Sequence, residues 1–237
     1  MSHPTKKALV NEIGVVYRNV PRADAELVKK LSAFGVATVH EALGRSGLLK
    51  PYMRPIYTGA KACGNIVTVL LQPGDNWMMH VVAEELREGD VIVAGITSES
   101  SGGYCGDLLA TSFKARGAQA LIIDAGVRDV AEITKMGFPI WSREICAAGT
   151  VKATLGSVNI PVVCAGILVN PGDVAVADDD GVVIVPQSML AQTVEAAERR
   201  EANEAEKREI LASGTLGLDM YKMREPLQKA GLRYIEM

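Results

Sequence analysis

Short aliphatic runs alternate with helix-patterned stretches along most of the chain, and three of those stretches close on a glycine. Gly64–Leu71, Asp90–Ala94, Ala120–Asp124 and Val162–Ala165 read as buried strands, being apolar, rich in β-branched residues and short. Asp24–Phe34 closes at Gly35, Asp107–Arg116 closes at Gly117, and a third helix begins near Asp129 and closes at Gly137. Val174–Ala177 and Val182–Val185 form a strand pair joined by the turn Asp178-Asp-Asp-Gly181. The pattern specifies an α/β protein with mixed strand directions.

At 237 residues the chain can bury a full core without staples, and it reads as a single domain spanning 1–237. Its 25 Lys and Arg against 28 Asp and Glu give a net charge of −3, which removes the basic footprint of a nucleic-acid binder. Cys63, Cys105, Cys146 and Cys164 lie too far apart for a zinc motif or a small disulfide scaffold. The N-terminal stretch is polar, and the longest apolar run, Ile160–Val169, is half a membrane span that contains Pro161 and Gly166. These features predict a cytoplasmic protein with reduced thiols and no membrane partner. From Ser188 the composition turns to charged residues with sparse apolar positions, which predicts that 188–237 is a helical extension outside the core.

Candidate chemistry is concentrated in Ser101–Asp129. A loop containing Gly102, Gly103 and Gly106 leads into the helix starting near Asp107, and the first amides of a helix are unpaired donors at its positive end. Such an end suits a carboxylate or phosphate; a tight turn followed by an ordinary first helical residue explains the same pattern. The strand Ala120–Asp124 then runs toward Arg128 and Asp129, at the strand end where α/β sheets display functional groups. The plainer alternative makes Asp129 a helix cap and Arg128 a surface ion-pair partner. His40 reads as a structural histidine on a helix and His80 as part of the wall of a core helix. Asp178, Asp179 and Asp180 read as a turn, because successive side chains in an extended segment point to opposite faces.

The set Gly103-x3-Asp107-x20-Arg128-Asp129 resembles the pyruvate aldolases that cleave 4-hydroxy-4-methyl-2-oxoglutarate or 4-carboxy-4-hydroxy-2-oxoadipate. These are class II enzymes on the fold shared with the regulator of ribonuclease E activity. The resemblance extends through nearly the whole chain and includes Arg18-Asn-Val-Pro-Arg22, Pro73-Gly-Asp-Asn-Trp-Met-Met-His80 and Gly106-Asp-Leu-Leu-Ala-Thr111. Around Lys50-Pro-Tyr-Met-Arg-Pro-Ile-Tyr57 it is closest to the carboxyhydroxyoxoadipate enzymes of protocatechuate and gallate breakdown. Cys105 departs from the phenylalanine expected at that position. The resemblance implies mixed sheet layers with flanking helices in an αββα sandwich. It also implies a homotrimer or homohexamer with the centre between subunits and 188–237 packed on a neighbour.

For the site, the resemblance implies that Asp129 holds a metal ion, Arg128 binds the keto oxygen of a small 2-oxo acid, and Asp107 orders a water that returns a proton. Gly103, Tyr104, Cys105 and Gly106, with the amides of Leu108 and Leu109, would hold the substrate carboxylate. Arg22 and Asn76 would meet the distal part of the substrate. Glu204 would act as an acid from an adjacent subunit, with Glu206 as the alternative. Carboxylates rather than clustered His or Cys select a hard ion, Mg²⁺ or Mn²⁺, and no organic cofactor is expected. No lysine is expected beside the loop and Lys114 reads as surface charge, which favours metal over Schiff-base stabilisation of an enolate. The expected reaction cleaves 4-carboxy-4-hydroxy-2-oxoadipate to pyruvate and oxaloacetate, with oxaloacetate decarboxylation as a secondary activity. The alternatives are preference for the 4-methyl substrate, primary decarboxylation of oxaloacetate, and a non-enzymatic binding protein like the ribonuclease regulator.

Overall fold

A computed structural model describes residues 12–237; the polar stretch up to Asn11 lies outside the described residues. The chain divides after Ala197 into two compact units. The first opens with α1 (Ala25–Leu31), α2 (Val36–Ala42), the short β1 (Arg54–Pro55) and the long β2 (Ala62–Leu71). Then come α3 (Trp77–Val82), β3 (Asp90–Ile96), β4 (Gly103–Cys105), α4 (Asp107–Ala115), β5 (Ala120–Val127), α5 (Val130–Met136) and β6 (Ile140–Ile145). Short strands β7 (Ser157–Val158), β8 (Val162–Cys164) and β9 (Ile167–Val169) precede a hairpin of β10 (Val174–Asp178) and β11 (Gly181–Val185).

β6, β5, β3 and β2 are parallel neighbours in that order, and β10 and β11 continue the sheet antiparallel from β2. Alternation along each strand divides the core between two faces. Val67, Val69, Ile92, Leu121 and Ile123 pack on Met79 of α3, Phe113 of α4 and Ile133 of α5. Ile66, Val91, Val93 and Ile122 face the other way, where they meet Trp141 of β6 and Val182 and Ile184 of β11. The Trp141 indole N–H donates to the Asp178 carbonyl at 2.8 Å, so strands near the two ends of the order meet and the sheet is nearly closed. Beyond the hairpin, Leu31, Val36 and Val39, with Leu190 and Val194, cover the outer residues Val174, Val176, Val183 and Val185. Helices, sheet, returning sheet and helices are the expected αββα layers.

Val162–Cys164 forms a strand, as read, with Val162 and Cys164 buried. It is not a strand of the main sheet but half of the separate β8–β9 hairpin, because Ala165 and Gly166 both take positive φ and turn the chain back. Val163 and Leu168 stand exposed there as a cross-strand pair. The acidic turn behaves as read: Asp178 accepts the Val36 and Asp180 amides, and Asp179 accepts the Gly59 amide.

α6 (Leu190–Ala212) begins in the first unit, and the second unit, Glu198–Met237, contains its remainder with α7 (Gly217–Met220) and α8 (Arg224–Lys229). No described residue of the second unit is buried. Its local ties include ion pairs between Arg200 and Glu204 at 2.8 Å, between Lys229 and Glu225 at 2.6 Å and between Asp219 and Arg224, with Lys207 over the Tyr221 ring. Among the described residues no helix is long and apolar enough to cross a membrane.

Candidate active site

β5 delivers Arg128 and Asp129 to the C-terminal edge of the parallel strands, the edge at which α/β sheets place ligand sites. β4 pairs beside its last residues, Gly103 with Gly126 and Cys105 with Val127. The Arg128 amide donates to the Cys105 carbonyl at 2.9 Å, which joins the glycine loop and the Arg-Asp pair into one backbone-bonded unit. Close contact explains two of the loop glycines. A Cβ on Gly103 would lie 2.5 Å from the Cys146 carbonyl oxygen, and one on Gly106 would lie 2.2 Å from Asp129 Oδ2.

Asp129 stands at the N-cap of α5 with φ 57° and ψ 35°, in the left-handed region, yet its side chain makes no capping bond. Oδ2 instead accepts the Asp107 amide at 3.2 Å and lies 3.6 Å from Arg128 Nε. The helix-cap alternative for Asp129 therefore fails: its carboxylate is turned to the positive end of α4. A left-handed backbone at a non-glycine residue costs about 1–2 kcal/mol, and Asp and Asn carry it most readily.

Asp107, Arg128 and Asp129, with Gly103, Tyr104 and Gly106, line a cleft of about 140 Å³. That is room for on the order of ten water-sized groups, the scale of a small organic acid. Leu108 and Leu109 complete this wall, and their amides, in the first turn of α4, have no intrahelical acceptor. Tyr104 is fully buried and its hydroxyl is engaged by the Gly74 amide and the Gln72 carbonyl. Cys105 is not in the cleft wall; burial, then the Asp129 charge, push its thiol up to about 12, so it is no nucleophile at neutral pH.

The distal residues divide. Asn76 lines the cleft; its NH₂ donates to the Tyr104 carbonyl at 2.9 Å, and its buried Oδ1 has no partner among the described residues. Arg22 does not line it. The Arg22 guanidinium forks onto Asp90 at 2.8 and 2.7 Å and bonds the Val20 and Glu85 carbonyls, because a buried carboxylate opening β3 claims the cation. Glu204 lies on α6 in the second unit, paired with Arg200, and Glu206 lies on the same helix. His40 is on α2 and is not among the lining residues.

Three lining residues escaped the sequence reading: His80, Thr150 and Lys152. His80 is exposed at the cleft rather than part of a core wall, and burial of its ring, then the Lys152 charge, lower its pKa. Its position four residues after Asn76, on the same helical face, was the available signal. Lys152 corrects the expectation that no lysine stands near the loop. It is solvent-exposed, unlike the desolvated lysines that form Schiff bases.

Asp75 brings Lys152 there. Its buried carboxylate accepts the Trp77 amide at 2.8 Å and the Ala153 and Thr154 amides at 2.6 and 2.7 Å. Burial alone would raise this carboxyl, but those N–H bonds outweigh it and hold it below the usual carboxylate range. Its stabilisation is complete above the unfolded value of about 3.9 and is lost as pH falls through the lower folded value. Asp75→Asn is therefore expected to cost about 1–3 kcal/mol at neutral pH and to flatten the acid side of the stability profile. Urea unfolding from neutral into acid pH checks both; an unchanged acid limb would rule out this carboxylate as the staple.

The donor set also bears on a metal. Among the described residues no three His, Cys, Asp or Glu side chains gather around one point. Two carboxylates, Asp107 and Asp129, beside an open cleft fit a hard divalent cation that keeps most of its water.

The sequence model of the RraA-like family, described as Aldolase/RraA, matches residues 36–184. A protein of Halalkalibacterium halodurans, named as a candidate 4-hydroxy-4-methyl-2-oxoglutarate aldolase, is 24% identical over 86% of this chain and 99% of its own length. The crystal structure of Streptomyces coelicolor RraAS2, described as an unusual member of the RNase ES inhibitor RraA protein family, is 31% identical. It covers 80% of this chain and 98% of its own, with a TM-score of 0.72. An uncharacterised protein from Pseudomonas syringae pv. tomato superposes with a TM-score of 0.76 at 26% identity, over 87% of this chain and 99% of its own.

Proposed function

This chain belongs to the RraA-like family, Aldolase/RraA, and from that premise we propose that it is a divalent-metal-dependent aldolase of the cytoplasm. The proposed reaction cleaves 4-carboxy-4-hydroxy-2-oxoadipate to pyruvate and oxaloacetate. One observation carries this reading: the Asp129 carboxylate turns from its own helix to the Asp107 amide, beside Arg128 and facing the cleft. A structural cap would bond α5 instead.

Asp129, with Asp107 acting through water, would hold Mg²⁺ or Mn²⁺, which supplies Lewis-acid charge stabilisation when bound. The amides of Leu108 and Leu109 bind the C1 carboxylate at the positive end of α4. Arg128 donates to the C2 keto oxygen and offsets the negative charge that develops there. The water that Asp107 would order takes the C4 hydroxyl proton, and the C3–C4 bond breaks, its electron pair passing to C3 and on to the keto oxygen. Oxaloacetate leaves, and a water ordered by Asp107 returns a proton to C3, giving pyruvate. Loss of CO₂ from oxaloacetate generates the same enolate, so decarboxylation is the secondary activity of the same groups. Glu204 completes the site from a neighbouring copy in a trimer or hexamer. Support comes from the second unit, which buries no residue of its own and exposes Leu216, Tyr221, Tyr234 and Ile235.

Pyruvate release from oxaloacetate tests the reading. It is expected to stop with EDTA and return with Mg²⁺ or Mn²⁺. Turnover indifferent to chelator would reject the metal role. A protein inert on oxaloacetate and on both aldol substrates would favour the second reading, a ribonuclease-inhibitor-like binding protein, which the likeness to the Streptomyces protein supports.

A further inference from the structure

β5 and β6 pair in register from Leu121 opposite Ile140 to Ile123 opposite Ser142, and again from Gly126 opposite Glu144. Between those stretches β5 sets two residues, Asp124 and Ala125, against Arg143 alone. An extra residue of this kind is a bulge. It shifts the rest of its strand along the partner and changes the side to which each later side chain turns. Arg128 and Asp129 follow directly, so their place at the cleft depends on this count.

Two observations bear on what fixes the frame. A Cβ on Gly126 would lie 2.7 Å from the Gly102 carbonyl oxygen, so a slip by one residue would drive Ala125 or Val127 into the glycine loop. The bulge is also bound through its side chain. Asp124 Oδ1 accepts Arg143 Nε and the Tyr52 hydroxyl, each at 3.0 Å, and Oδ2 accepts the Ala165 amide at 2.8 Å. The Arg143 guanidinium lies over the Tyr52 ring at 4.6 Å and reaches Glu99, in the loop between β3 and β4, at 2.9 Å. The Asp124 and Arg143 side chains are 12% and 26% exposed, which sets this pair apart from solvent-screened surface pairs. Neither side chain lines the cleft.

Resting on the aldolase reading above, we infer that Asp124 and Arg143 are positioning residues: their pair locks the β5 bulge and so sets the frame in which Arg128 and Asp129 reach the cleft. Asp124 binds the bulged strand to β6, to the segment before β1 and to the turn between β8 and β9. Arg143 ties it onward to the loop that leads into the glycines. Arg128 must point at an oxyanion as it forms, and a displacement of about 1 Å at such a group costs on the order of a hundredfold in rate.

Arg143→Met removes both ion pairs and keeps an aliphatic stem over Tyr52. Its kcat on oxaloacetate is expected to fall about tenfold to a hundredfold with KM little changed. Arg143→Lys, which can still pair with Asp124, is expected to recover most of that loss. Glu99→Gln is expected to stay within about twofold of wild type, since Glu99 is exposed. Hydrogen exchange reads the frame without turnover. In Arg143→Met the Arg128 amide, bonded to the Cys105 carbonyl, and the Cys146 amide, bonded to the Val127 carbonyl, are expected to lose about tenfold in protection. The Leu121 amide, earlier in β5 and bonded to the Pro139 carbonyl, is expected to keep its own. Equal loss at Leu121 would make the pair merely structural and overturn the inference, as would unaltered exchange at both amides or an unchanged kcat. Wild-type protein inert on oxaloacetate and on both aldol substrates removes the aldolase reading, and the exchange pattern then decides the frame by itself.

Discussion

Asp129→Asn is expected to abolish metal-stimulated pyruvate release, a loss of about a thousandfold in kcat, with the fold intact. Lewis-acid stabilisation is worth several kcal/mol, and each ~1.4 kcal/mol is a factor of ten in rate. Asparagine keeps the shape of the side chain and tolerates the left-handed backbone at φ 57°, so the change removes charge alone. Asp129→Ala also removes the charge, but it adds the left-handed strain of about 1–2 kcal/mol and leaves the Asp107 amide without its acceptor. Both variants lose turnover, and only alanine loses substantial stability. Calorimetric titration with Mn²⁺ and a thermal melt separate the two effects. Metal uptake and metal-stimulated turnover surviving in Asp129→Asn would remove Asp129 from the site.

Arg128→Ala is expected to lower kcat by about a hundredfold to a thousandfold, the usual consequence of removing one donor aimed at a developing oxyanion. Stability should change by less than about 0.5 kcal/mol, since the side chain is half exposed and its contact with Asp129 is a 3.6 Å surface pair. The Arg128 amide bond to Cys105 is main-chain and survives the substitution. Arg128→Lys retains the charge without the planar fork and should recover only part of the rate on oxaloacetate. A rise in KM at unchanged kcat would assign Arg128 to ground-state binding and contradict its place at the keto oxygen.

The sites of these two predictions were legible because their signals are local. Loop glycines, a helix start at Asp107 and an Arg-Asp pair after a strand are all read within a few residues. The structure then supplied the reason for the glycines: Gly106 lies where a Cβ would meet the Asp129 carboxylate. His80 was legible in principle, since four residues on a helix return to the same face as Asn76. Its neighbours Trp77, Met78 and Met79 suggested a core wall, and only the fold places its ring at the cleft.

Helix and strand identity, the glycine-closed helix ends and the acidic hairpin turn followed from periodicity and dihedral demands, which act between neighbours in the chain. Arg22 lies away from the cleft and Lys152 lines it for a different reason. Asp90, at the start of β3, captures Arg22, while Asp75 draws in the irregular segment that carries Lys152 through amides far along the chain. The near closure of the sheet likewise depends on Trp141 reaching the Asp178 carbonyl. Those pairings join residues with no local pattern in common, so which cation faces the cleft is decided by how buried carboxylates and carbonyls find donors once the layers have packed.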